Sequence, residues 1–243
     1  MMLALLALLA ACDKTPPAPM AVGATSGYAP LYAARDQGYL SGVNLKMSEL
    51  GSANEVMQAL RSHSLHMAAL TLDESLRLRR DIPDLKIILL LYASREGGCA
   101  GDGKAVNGGA GDSGCRPLLP PKLDGSCEPR HIGALVTRDS DIGQYHAEIY
   151  QLVQGWQRAL DYLNAAPAKS PNGLTADMQG TGWLDLNRNR ELLAGDAPAI
   201  AACLESAQRA LLEQGALQIG GDAPALIESA FLTEKGKRAG GEK

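Results

Sequence analysis

The chain has 243 residues and a formal charge of −4, with 46% hydrophobic residues. That is enough for one or two lobes with a real core. The slight acidity leaves no basic footprint, which argues against a nucleic-acid partner.

Met1 to Ala11 is a continuous apolar run, closed by Leu9-Ala10-Ala11-Cys12. As a helix it would be roughly 16 Å long, too short for a hydrocarbon core of about 30 Å. It reads as the apolar region of a signal peptide, although no Lys or Arg precedes it. Lys14 to Pro19, with three prolines, reads as an extended tether.

A first strand is expected at Met20–Ala24. Pro30 suits the first turn of a following helix, where its missing N–H is not needed, and Gly38 suits its end. Asn44–Leu50 reads as a second strand, and Ser52 as the cap of a helix with Val56, Met57 and Leu60 on one face. Leu65–Leu70 is the third strand. Thr71 caps a helix over Leu72–Arg80, with Glu74 completing a capping box. Leu85–Tyr92 is a buried parallel strand by its unbroken apolar character. Strand, small-residue turn and helix thus alternate three times, the rhythm of parallel β-α units. Ligand sites in such folds lie at the carboxyl ends of the strands.

From Ser94 to Arg130 the pattern dissolves. These residues include nine glycines, four prolines and three of the five cysteines, and read as irregular. Order resumes with a strand at Ile132–Thr137 and an amphipathic helix over Asp141–Asn164. Helices are expected near Leu184–Leu193, at Ala197–Glu213 with Asp196 as cap, and at Ala223–Phe231. Lys235–Lys243 reads as a disordered tail.

Several motifs are decoys. Gly111-Asp112-Ser113-Gly114 imitates the surroundings of a serine nucleophile, but no histidine has the matching context. Asp185, Asn187 and Asn189 echo a calcium loop, but Arg190 stands where glycine is required; they read as a polar turn. Cys99, Cys115 and Cys127 contain no C-x-x-C pair, so no metal site is expected. Cys203 reads as a core residue of its helix. His63 and His66 flank the third strand, where one could reach the cleft, although a structural role is favoured.

Gly27-Tyr28-Ala29-Pro30-Leu31-Tyr32, the pair Gly38-Tyr39, and Thr71-Leu72-Asp73-Glu74 resemble the soluble substrate-binding component of an ABC importer. The branch is that of nitrate, sulfonate, taurine and thiamine-precursor binders. The resemblance spans about Ala21–Ser94 and resumes over Ile132–Phe231. It implies an α/β fold of the periplasmic-binding-protein type II kind. It also implies a small-molecule solute bound by Ser26, Gly27, Tyr28, Pro30, Gly51, Ser52, Thr71 and Asp73, with no cofactor, no catalytic residue and a permease as partner. Helix N-termini after Ser26 and Ser52 favour an anion, for which Asp73 is awkward. The L-A-A-C sequence resembles a lipobox, implying lipidation at Cys12. With Asp13 following, that implies a periplasmic protein anchored to the inner membrane.

Binding proteins of this kind close two lobes on the solute. The expected layout is signal and tether over 1–19, the first part of lobe I over 20–93 and an irregular segment over 94–131 in place of lobe II. The return of lobe I follows over 132–232, with a tail over 233–243. One β-α-β unit needs about 30 residues, and a lobe needs several, so the second lobe is expected to be missing. Two alternatives stand beside the importer component: a remnant with little ligand binding, and an enzyme resembling thiamine-pyrimidine synthases.

Overall fold

The computed structural model describes residues 17–23, 26–94, 132–165, 181–196 and 198–233. Cys12, most of the tether, the segment 95–131 and the tail from 234 lie outside them.

Six strands form one sheet in the order β2-β1-β3-β5-β4-β6. β1 (Ala18–Gly23) lies parallel to β2 (Leu45–Leu50) and to β3 (Met67–Thr71). β4 (Leu85–Ser94) does not pair with β3, contrary to the simplest parallel arrangement. β5 (Ile132–Arg138) enters between them, antiparallel to both. The reason is sequence-distant pairing: β5 is buried at every residue, and only a central position covers it on both sides. β6 (Thr181–Trp183), which the sequence pattern does not reveal, pairs antiparallel with β4 at Tyr92–Ser94.

α1 (Ala29–Asp36) links β1 to β2, and α2 (Ala53–Arg61) links β2 to β3 across β1. Right-handed crossovers therefore place these helices on opposite faces. Accordingly α1 packs on α5 (His146–Ala165), whereas α2 packs on α3 (Leu72–Arg79), and α3 on α7 (Ala201–Glu213). The core joins both sides of the sheet: Met20, Leu70, Ile87 and Leu135 are fully covered, as is Trp156, whose indole N–H donates to the Leu184 carbonyl at 2.9 Å.

Several boundaries move. The long helix expected over Asp141–Asn164 is broken into α4 (Asp139–Ile142) and α5, with Gly143 and Gln144 in a turn between them. Asp185 caps α6 (Leu186–Leu193), accepting from the Arg188 N–H, so the supposed polar turn is a helix start. Asp196 does not cap α7; the helix begins four residues later, after Ile200. The segment from Ala223 holds two 3-10 turns, Ala223–Leu226 and Ala230–Leu232, in place of one helix. Cys203 is 1% exposed, as expected of a core residue, but it is disulfide-bonded. Every other cysteine lies outside the described residues.

Candidate functional site at the carboxyl ends of the strands

Parallel register brings three turns to one edge. Gly23 pairs with Leu50 at the ends of β1 and β2. β3 ends beside them at Thr71, which pairs with Gly133, and Gly133 in turn pairs with Tyr92. Of the eight candidate binding residues, Ser26, Gly27, Tyr28, Gly51 and Ser52 lie between strand and helix, Thr71 ends β3, and Pro30 and Asp73 lie in the first turns of α1 and α3.

These residues separate into covered and accessible groups. Ser26 opens a 3-10 turn, Ser26–Tyr28. Gly27 and Pro30 are buried, and Tyr28 is 4% exposed. Tyr28 meets Tyr92 edge-on, with centroids 5.3 Å apart and an interplanar angle of 66°. Burial, Tyr92 and the Glu74 carboxylate all push the Tyr28 phenol well above its ordinary value. A Cβ at Gly27 or at Gly133 would overlap the Tyr92 ring. The ring thus occupies a slot that only two glycines leave open. Tyr28 in this arrangement belongs to the core, while Gly51, Ser52, Thr71 and Asp73 retain exposed or half-exposed surface.

The two helix starts on this edge are capped by their own carboxylates. Ser52 Oγ accepts from the Glu55 N–H at 3.3 Å, while the Gly51 N–H donates to Glu55 Oε2 at 3.0 Å. At α3 the Thr71 N–H donates to Glu74 Oε2 at 2.8 Å, and Thr71 Oγ1 accepts from the Glu74 N–H at 3.2 Å. Asp73 is held by Arg77 one turn on, at 2.8 Å. An anion at these N-termini would meet the negative charge of Glu55 and Glu74. Glu55 thus opposes the anion expected at the helix start after Ser52, and Glu74 places the same charge beside Thr71; neither contact bears on the anion expected after Ser26. Thr71 keeps its hydroxyl proton as a donor, and Glu55 and Glu74 offer acceptors.

Tyr32 closes the rear of the edge. Its hydroxyl lies 3.2 Å from the Gly23 carbonyl, to which it donates. Burial first, and then the Glu49 carboxylate, push its phenol up to about 12, against a smaller opposite effect from Arg35.

The histidines lie elsewhere. His66 precedes β3, at the opposite end of the sheet from Thr71. Its Nδ1 lies 3.0 Å from Asp141 Oδ2, and its ring centroid is 4.5 Å from that of Tyr145. His63 occupies the preceding turn with φ of 57°. Neither histidine reaches the strand-end edge. Sequence reasoning missed Glu55 as a cap, although S-x-x-E is its local signal. It had no signal at all for Tyr92 and Gly133, whose roles depend on strand pairing. No group of three or more potential metal-ligating side chains occurs among the described residues.

No protein-family model matches the sequence, and no curated protein matches it. Solved structures do. The periplasmic aliphatic sulphonate binding protein SsuA from Escherichia coli aligns with a TM-score of 0.54 at 10% identity, covering 88% of this chain and 92% of that one. The ligand-binding component of an ABC-type import system from Staphylococcus aureus aligns at 0.51 and 10% identity, covering 91% and 98%. A Candida albicans gene product, described as defining a new family with the generic periplasmic binding protein fold, aligns at 0.54 and 10%, covering 88% and 96%. At such identities the likeness is one of fold: the chain has the periplasmic-binding-protein fold.

Proposed function

We propose that this chain is the solute-binding component of an ABC-type importer and performs no chemistry of its own. The observation supporting this most directly is the convergence of the Gly23–Tyr28, Gly51–Ser52 and Thr71 turns on one edge of a sheet of this fold. The solute is small and polar and lies against Gly51, Ser52, Thr71 and Asp73, with Ser26, Gly27, Tyr28 and Pro30 forming the wall behind. Because Glu55 and Glu74 already sit on the α2 and α3 N-termini, we infer an uncharged or cationic solute face, as in an aminopyrimidine, in place of a sulfonate or nitrate. The partner is a membrane permease. The protein is held in the periplasm by a lipid on Cys12 at the inner membrane, which a Cys12→Ala variant should abolish, releasing the chain from the detergent phase.

A typical pocket encloses about 70–90% of its ligand, which a clamp achieves with two lobes. If one wall supplies half of a micromolar free energy of about −8 kcal/mol, binding falls to about millimolar. Titration of the full chain with an aminopyrimidine, taurine and nitrate, followed by amide NMR, tests the reading. Shifts at Gly51, Ser52 and Thr71 with the aminopyrimidine alone are expected. Preferential binding of taurine or nitrate would reverse the charge argument, and shifts confined to other residues would move the site.

A remnant with little binding is the second reading. It is favoured by the Tyr28–Tyr92 contact, which fills the wall. Absence of shifts with every solute would support it.

A further inference from the structure

A group of buried polar residues lies away from the candidate solute edge, where β3 begins and the antiparallel β5 ends. Met67 pairs there with Thr137. Thr137, Arg138 and Asp141 are all buried, and the His66 side chain is 20% exposed. Thr137 donates its hydroxyl to the His66 carbonyl at 2.8 Å, and the Arg138 guanidinium donates to the Leu60 carbonyl near the end of α2. These bonds fix the main chain of His66 and the guanidinium of Arg138 beside Asp141.

One carboxylate oxygen serves two donors unequally. Asp141 Oδ2 lies 3.0 Å from His66 Nδ1 and 4.0 Å from Arg138 Nε. The first is a hydrogen bond, in which Nδ1 carries the proton because a carboxylate only accepts. The second is too long for one, and Arg138 Nε is buried with no acceptor. A guanidinium is always charged, whereas an imidazole is charged only when protonated. A carboxylate that serves a neutral imidazole while the permanent cation's buried N–H goes unpaired has made the weaker bond and left the costlier gap. The geometry therefore suits a protonated His66.

The other ionisable groups around this cluster are not imidazoles. Asp84, just before β4, feels the Arg138 charge and accepts from the Ser140 hydroxyl at 2.8 Å. From α5 and the turn before it, Glu148 and Asp141 both act on Tyr145, whose ring centroid is 4.5 Å from that of His66. We propose that Asp141 is a proton-driven toggle, bonded to His66 when the imidazole is charged and to Arg138 Nε when it is neutral. The Asp141 carbonyl accepts from the Tyr145 N–H at 3.0 Å, so the toggle sits at the joint between α4 and α5.

NMR of the full chain at about pH 5 and about pH 8, the limits between which imidazoles change charge, tests this. At the higher pH a coupling across the hydrogen bond is expected between Arg138 Nε and the Asp141 carboxyl carbon. At the lower pH that coupling should be lost. His66→Ala, and His66→Gln as the gentler change, should show it at both values, while His63 and His146 remain to titrate as before. No coupling at the higher pH, a coupling at both values in the unaltered chain, or the same loss at low pH in both His66 variants would each overturn the proposal.

Discussion

Asn189 on α6 satisfies both main-chain groups of Leu90 in β4. Its Oδ1 accepts from the Leu90 N–H at 2.6 Å, and its Nδ2 donates to the Leu90 carbonyl at 2.9 Å. The same amide also reaches the carbonyls of Leu184 and Asp185, at 3.2 and 3.0 Å. Leu90 faces Ala134 of β5 on one side, and on the other β6 pairs only with Tyr92–Ser94, so no strand reaches these two groups. The side chain is fully buried and acts as a substitute strand.

Asn189→Ala leaves both Leu90 groups buried without partners, each worth about 1–3 kcal/mol. A destabilisation of about 3 kcal/mol is expected in urea unfolding. A loss below about 1 kcal/mol would show that β4 re-registers to satisfy itself.

The Tyr92 slot supports a coupled pair of variants. Gly133→Ala places a methyl group into the ring, and such overpacking costs about 1–3 kcal/mol. Tyr92→Leu costs stability alone, but combined with Gly133→Ala it should recover part of the alanine penalty. A double-mutant cycle on thermal unfolding measures that coupling. Additive losses would mean that the ring moves aside freely, and that Gly133 is not required for it.

What was legible in the sequence was local. Ser52 and Thr71 cap their helices as the S-x-x-E and T-x-x-E spacings imply, and both hydroxyls accept the expected N–H. Gly38 takes φ of 71° after α1, as a helix-ending glycine does. What was not legible depends on pairing across the chain. β6 has only three residues, too few for a periodic signal, and Asn189 acts on a strand 99 positions away. His66 finds Asp141 75 positions away, so a search for nearby carboxylates could not identify its partner. The acidic caps illustrate an intermediate case. Glu74 was evident as a capping residue, but its effect on the ligand edge followed only when the edge was assembled.

Tyr32 should make stability fall in alkali. Its folded-state value of about 12 lies above the ordinary value of 10.0. The folded chain therefore holds this proton more tightly, and the stabilisation is complete below pH 10 and lost as pH rises from 10 toward 12. Burial is the first cause and Glu49 the second. Glu49→Gln should lower the Tyr32 titration midpoint, followed by NMR of its ring carbon, and make the alkaline loss smaller, beginning at the same pH but ending at a lower one. An unchanged midpoint would show that burial alone sets it.

β4 ends at Ser94 and β5 begins at Ile132, and Ala93 is paired with Ile132 across the two strands. Antiparallel partners have Cα atoms about 4.5–5.5 Å apart, a gap that hairpin turns of two to five residues span. A short turn replacing 95–131 should therefore leave the described lobe intact. Loop closure scales with length as (3/2)RT ln n, so shortening the loop to four residues should add about 2 kcal/mol. Both proteins are compared under reducing conditions, because Cys203 is disulfide-bonded and the replacement removes three cysteines. Unchanged far-UV circular dichroism with a higher urea midpoint is expected. Loss of cooperative unfolding would show that 95–131 is integral to the core, and would end the reading in which it stands in place of a second lobe.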